Sequence, residues 1–303
     1  EFSKWVHNDL VEKIKPMVDS LDWICDSKGR MPLIGDDDSG YIIPRPNGMD
    51  PRDCNFILDF AKEHGLRENP SPEGIRVWKG HGTGVIRKGG LHIHAVAGAA
   101  GGLARQAGHR HLDHLSITVS WKGDDVICDS GTGTYYSNDE WRNYVRSEIA
   151  HSGVFSEISS WGIIRNLFEI LNPTVGEIAE IENGLMMKSK HPSGGVLLRE
   201  IQFIGDRIRI RDKLECERPV VNFIFSEQAN ILIKSDEVSV EGNGWGFVHE
   251  VSSGEVLENN PGDFGVMGEK LLDGQCVISG GYGQFGVGKS FRVKHSEGDG
   301  VES

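Results

Sequence analysis

The chain has 303 residues, with 32 Lys and Arg against 45 Asp and Glu, a formal net charge of −13. That length admits two domains or one large one, and 38% hydrophobic against 25% charged residues is enough for an ample core. The acidic balance argues against charge-driven binding to nucleic acid or an anionic membrane, so a polyanionic ligand would need a local basic site.

Forty glycines favour turns and short strands over long helices. No apolar run reaches membrane-spanning length, and no signal peptide is visible. The chain opens on Glu1 inside a helical pattern, so its natural N-terminus is expected upstream. Cys25, Cys54, Cys128, Cys216 and Cys276 contain no C-x-x-C pair and suggest neither a disulfide framework nor a cysteine zinc knuckle. Each is expected to pack as a small hydrophobe.

Residues 1 to about 25 carry the apolar spacing of an amphipathic helix through Trp5, Val6, Leu10, Ile14, Met17, Val18, Leu21 and Ile24. Pro16 is placed to kink it. The segment RMPLIGDDDSGYIIP reads as a loop. Asp50-Pro51 is a candidate N-cap and first-turn pair opening a helix to about His64, which Gly65 can stop. Two lone amphipathic helices cannot bury both faces, so residues 1–73 read as the end of a larger helical domain.

From about residue 74 the pattern changes to strand-sized apolar runs cut by turn residues. GVIRKGGLHIHAVA, LSITVSWKGDDVICD, GLMMKSK, VVNFIFS and EVSVEGNG are examples, and IQFIGDRIRIRDKL alternates about a Gly-Asp hairpin turn. Many strands without intervening helices predict a mainly β chain, with an antiparallel β-sandwich over residues 74–303. The last residues, HSEGDGVES, read as a frayed tail.

The chemistry concentrates between Gly108 and His151. In GHRHLDHLSITVSW, His109 and His111 share a face if they lead into a strand. Asp129 closes the buried run DDVICD and needs a partner there. His111, Asp129 and His151 together would supply three ligands to a divalent metal, with zinc well suited and iron, manganese or nickel also admitted. The same histidines could instead be hydrogen-bonded residues of a sheet. His92 and His94 form a second H-x-H that reads as structural. Asp36-Asp37-Asp38 lacks EF-hand spacing and reads as a solvated turn, and GAAGG from Gly98 lacks the ending of a phosphate loop. Trp121, Trp141, Trp161 and Trp245 could stack on sugar rings or fill the core.

The motifs GHRHLDHLS, DSGTGTYY and WRNYVRSEIAHS, in that order, resemble the C-terminal domain of the heparinase II/III-like polysaccharide lyases. GDDDSGYIIP is similar to the loop joining that family's helical part to its sheets. The resemblance covers roughly residues 1 to 170. It implies an incomplete α/α toroid, here truncated to a few helices, followed by a sandwich of the supersandwich type. It implies cleavage of uronate-containing glycans such as glycosaminoglycans or alginate by β-elimination, and periplasmic or secreted residence.

Carried over residue by residue, the resemblance implies that His109 is catalytic and that His111, Asp129 and His151 hold a largely structural zinc. Arg142 and Arg146 would offer planar donors to a substrate carboxylate or sulfate, or pair with local acids such as Asp139 and Glu140. A sandwich tyrosine would complete the site, with Tyr136 selected over Tyr135 and Tyr144. Ser130 departs from the family's usual Pro. The implied partner is an acidic polysaccharide or oligosaccharide, with no nucleic acid and no membrane insertion, and a homodimer stays open. A non-catalytic carbohydrate-binding or structural sandwich retaining the metal site is the alternative, and a cupin-like metal oxygenase is a more distant one.

Overall fold

The computed structural model describes residues 2–36, 49–67, 73–98, 108–133, 135–136, 139–205, 207–226, 228–233, 237–242 and 244–250, and strands between 255 and 302. For residues 2–9, 233, 237, 238 and everything from 249 onward, only the backbone is described. Two helices come first, α1 (Phe2–Ile24) and α2 (Asn55–Glu63). They meet through Val18, Cys25, Cys54, Leu58 and Ala61. Leu10, Ile14, Met17, Ile57 and Phe60 stay exposed, so an apolar face of the pair is uncovered.

The start of α2 differs from the expectation. The Asp50 carboxylate accepts the Arg52 N–H at 2.9 Å and the Asp50 carbonyl accepts the Asp53 N–H at 3.0 Å, closing a turn that ends before the helix begins. Cys54 takes the N-cap position without a side-chain cap. The stop at Gly65 is as expected. Its φ of +70° lets Leu66 N–H reach Ala61 O (2.8 Å) and Gly65 N–H reach Lys62 O (3.1 Å), the Schellman pattern.

The strands then follow: β1 (Gly74–Trp78), β2 (Thr83–Lys88), β3 (Leu91–Val96), β4 (Ser116–Trp121) and β5 (Asp124–Ile127). A third helix, α3 (Asp139–Arg146), precedes β6 (Val154–Ser156), β7 (Ile163–Asn166) and β8 (Glu169–Leu171). Next come β9 (Gly176–Ile181), β10 (Gly184–Lys190), β11 (Val196–Ile204), β12 (Arg207–Leu214) and β13 (Pro219–Phe225). Beyond them lie β14 (Asn230–Ile233), β15 (Glu237–Gly242), β16 (Trp245–Glu250), β17 (Glu255–Glu258), β18 (Gly265–Val266) and β19 (Glu269–Lys270). The last are β20 (Gln275–Gly281), β21 (Gln284–Lys294) and β22 (Gly300–Glu302).

The largest sheet has the order β1-β2-β3-β4-β5-β13-β21-β17, with β6 on β13 and β20 on β21, and the second has the order β22-β12-β11-β10-β9. Strand pairing is antiparallel, and one core holds Ile86, Ile93, Ile117 and Val119 of the first sheet against Leu185, Met187, Leu197, Ile201 and Ile210 of the second. That is a sandwich, and the chain is mainly β as expected. The predicted hairpin joins β11 to β12 with Ile204 opposite Arg207, and Gly205 at φ +65° makes its turn. The tail departs from the frayed reading, because Gly300–Glu302 pairs with the open edge of β12. Cys25, Cys54, Cys128 and Cys216 are buried and not joined by disulfides, while the Cys276 side chain lies outside the described residues.

Alternation gives the first sheet two different faces. His92, Ser120 and Asp125 face the helical segment, where His92 Nε2 meets Trp23 O at 3.0 Å. Arg52 reaches Asp125 at 2.7 Å, and Arg30 bonds Asp26 and the Gly123 carbonyl. His92 and His94 are buried, and burial pushes them down to about 4 and about 3, so both are neutral structural residues. The opposite face looks into the sandwich.

One buried ion pair links the sheets to the functional loops. Arg199 on β11 meets Asp212 on β12 at 2.7 and 2.8 Å, and also donates to Leu115 O (2.9 Å) and Ser152 O (3.1 Å). Both side chains are inaccessible to water. Truncating the acid strands a buried guanidinium, so Asp212→Ala is expected to lose about 3–5 kcal/mol in urea denaturation. An unchanged unfolding midpoint would contradict this role.

Candidate functional site

A buried carboxylate that the sequence reading placed in solvent lies at the centre. Gly35 has φ +53°, and a Cβ there would come 2.6 Å from the His109 carbonyl, so only glycine lets the two loops touch. Asp36 N–H donates to that carbonyl at 3.0 Å, and the Thr132 hydroxyl donates to Gly35 O at 2.9 Å. The Asp36 side chain is thereby delivered into the protein with no exposure. It accepts from His109 Nδ1 at 3.1 Å, His111 Nε2 at 2.9 Å and both terminal nitrogens of Arg142, one of them at 2.6 Å. Burial alone would raise its pKa, but the bonds from His111 and Arg142 outweigh burial and hold it at about 2. Asp37 and Asp38 lie outside the described residues.

An ionised carboxylate only accepts, so it fixes both imidazole tautomers. His109 carries its proton on Nδ1 and leaves Nε2 with a lone pair. His111 carries its proton on Nε2 and leaves Nδ1 bare. The two rings sit in a loop ahead of β4 rather than on a strand, yet the i, i+2 spacing still brings both to one carboxylate. His109 is exposed, with Tyr135 and Phe168 ring centroids 6.4 and 6.3 Å away. His111 is buried, which pushes it down to about 4 despite Asp36.

A second carboxylate–imidazole pair stands beside the first. Asp129, two residues after β5, accepts the Gly131 N–H at 2.9 Å and His151 Nδ1 at 2.6 Å. Burial would lower the His151 pKa, but the Asp129 charge and hydrogen bond outweigh it and raise it. The His111 and His151 rings are 5.3 Å apart. His111 Nδ1 and His151 Nε2 are both buried without a hydrogen-bond partner, which is costly unless something takes their lone pairs. Imidazole nitrogens backed by carboxylates are the donors a divalent cation such as zinc prefers, so the residues fit a metal. Among the described residues no group of three His, Cys, Asp or Glu side chains converges on one point, and Asp129 stands behind His151. Ser130, where the family usually has Pro, donates its N–H to Ala150 O at 3.2 Å, a bond proline cannot make.

Arg142 and Arg146 lie one turn apart on α3, and both are fully buried. Of the two expectations, donors to a substrate or pairing with acids, the structure shows Arg142 paired with an acid, Asp36, in place of Asp139 or Glu140. Arg142 is held by Asp36 and by Leu167 O (3.0 Å), with its guanidinium 5.1 Å from the Tyr135 ring centroid. Arg146 donates to Arg110 O (3.3 Å) and Asn166 O (2.6 Å), and burial with the Arg142 charge pushes it down to about 10. The Arg142 guanidinium is thus turned inward onto Asp36, and that of Arg146 onto two backbone carbonyls. Tyr144 is buried, Tyr136 is 70% exposed, and Tyr135 is the tyrosine whose ring meets His109.

Asp36→Asn keeps the shape but leaves the buried Arg142 charge uncompensated. A loss of about 3–5 kcal/mol in urea denaturation is expected. A variant as stable as the parent would show that the carboxylate is incidental.

The family described as Heparinase II/III-like, C-terminal, matches residues 77–263, more than half of the chain. No curated protein matches it in sequence. Among solved structures, a heparan sulfate lyase from Pedobacter heparinus is similar with a TM-score of 0.69 at 14% identity, over 97% of this chain and 46% of that one. A structure of heparinase III gives 0.68 at 12% identity, over 97% and 48%. Another heparinase III gene product gives 0.63 at 15%, over 93% and 43%. At such identities the likeness is one of fold, and the chain spans less than half the length of these structures. From the match over residues 77–263, the chain belongs to the heparinase II/III-like family.

Proposed function

We propose that this chain is the sandwich-side portion of a polysaccharide lyase that cleaves uronate-containing glycans by β-elimination. The observation that carries the reading is the Asp36–His109 pair, an exposed imidazole whose Nδ1–H is held by a buried carboxylate so that Nε2 faces outward as an acceptor. In β-elimination a base removes the proton at C5 of the uronate, the electron pair forms the C4–C5 double bond, and the C4–O bond breaks. The leaving oxygen then takes a proton. His109 Nε2 is suited to accept a proton or to donate one once protonated, and Asp36 stabilises the imidazolium in between. The nearness of the Tyr135 ring to that of His109 supports it as the hydroxyl partner. Tyr136 on the rim is the neighbouring candidate.

His111 and His151, with Asp129 behind His151, would hold a zinc ion, which when bound would supply positive charge and rigidity to the loops around His109. The uncovered apolar face of α1 and α2 supports a larger helical unit, the toroid, closing the cleft and contributing the groups that neutralise the uronate carboxylate. The second reading, a carbohydrate-binding sandwich without catalysis, draws support from the burial of Arg142 and Arg146, which leaves neither to grip substrate.

The assay follows ultraviolet absorbance of the unsaturated uronate when the full-length protein meets heparan-type and alginate-type polymers. Product is expected from one class. His109→Ala is expected to lower kcat by roughly 10²–10⁴-fold with KM little changed. Absence of unsaturated product from every uronate polymer would favour the binding module, and an undiminished His109→Ala enzyme would remove the catalytic role of His109.

A further inference from the structure

A groove of about 980 Å³ opens between the sheets at the end of the sandwich. Its walls come from β3, β4, the β11–β12 hairpin and β16, and its floor carries half-buried Trp121, Trp245 and Phe247. The β3 and β4 residues that line it, such as Leu91 and Trp121, alternate with His92 and Ser120, which face the helices. The groove therefore lies on the sheet face turned away from the helical segment. It shares no lining residue with the Asp36–His109 centre.

The described lining of the groove carries basic side chains. Lys88, Arg207 and Arg209 line it, with no acidic side chain among the described lining residues, in a chain of net charge −13. Lys88 Nζ sits 4.5 Å from the Phe203 ring centroid, and Lys122 Nζ sits 5.2 Å from that of Trp121. Trp245 lies over Gly242, its cross-strand partner, where a Cβ would come 2.2 Å from the indole. It also stacks on Phe225 at 6.4 Å and 12°. Those contacts hold the indole in place while part of it stays accessible.

Indole faces beside cations match a sugar chain, whose C–H faces stack and whose carboxylates or sulfates pair with Lys and Arg. The volume is that of a ligand cleft. We propose that this groove is a second glycan-binding site, taking an anionic oligosaccharide remote from the catalytic centre. The identity of that glycan rests on the lyase reading, while the site's existence does not. Such a site would keep a long polymer attached while the catalytic end works.

The test titrates the His109→Ala chain with a heparin hexasaccharide, an alginate hexasaccharide and an uncharged dextran hexasaccharide, by calorimetry and tryptophan fluorescence. A sulfated or carboxylated arm is expected to bind with a change in indole emission, and added salt to weaken it. Lys88→Gln with Arg207→Gln, both at exposed positions, is expected to weaken that arm roughly tenfold or more without moving the unfolding midpoint. Equal binding of dextran, binding unaffected by the double variant, or concentration-dependent self-association through the groove would overturn the proposal. The lyase assay separates the two readings. Product formation with groove-independent binding removes this site and leaves the lyase, whereas charge-dependent groove binding without product does the reverse.

Discussion

The site depends on one buried carboxylate. Asp36 has no exposure to water, and a charge in that position persists only when fully paired. The pairing comes from two elements that are distant in sequence, namely the His109 and His111 loop and Arg142 on α3. The same atoms that stabilise the anion fix which nitrogen of each histidine is free. Structure and chemistry are thus set by a single interaction, and neither can be altered alone.

The sandwich serves this arrangement from below. Gly35 allows the close approach that brings Asp36 in, Thr132 ties the two loops, and Arg199 with Asp212 holds the backbone at Leu115 and Ser152, next to His114 and His151. His114 stacks on the wholly buried Trp161, with ring centroids 4.5 Å apart, and its Nε2–H donates to the Thr174 carbonyl at 2.7 Å. The histidines divide by environment. Burial holds His92, His94 and His114 neutral, and His109 is exposed. His111 and His151, their rings 5.3 Å apart, each keep one bare nitrogen, while His114 keeps a bare Nδ1 beside Trp161.

Much of the fold was legible because strand periodicity is local. The change of pattern near residue 74 coincides with the start of β1 at Gly74, and the IQFIGDRIRIRDKL hairpin has the predicted turn. The family was legible from three ordered motifs. What was not legible was tertiary pairing. Asp36 sits in a run of three acids, which ordinarily marks a solvated turn, and nothing local says that Arg142, 106 residues away, folds onto it. The one available signal was the glycine before it in a family-like loop. Arg142 and Arg146 carried an i, i+4 spacing that sequence can place on one helix face but cannot assign to solvent or interior. Asp50-Pro51 misled for a related reason, since its capping group serves a turn that ends before α2 begins.

The central claim is that Asp36 dictates the imidazole tautomers, and long-range ¹H–¹⁵N correlation spectra of the metal-free protein test it most directly. The geometry predicts that neutral His111 is the Nε2–H tautomer with a bare Nδ1, and that neutral His109 is the Nδ1–H tautomer, the two being opposite in one H-x-H. A His111 protonated on Nδ1, or the same tautomer at both rings, would contradict it.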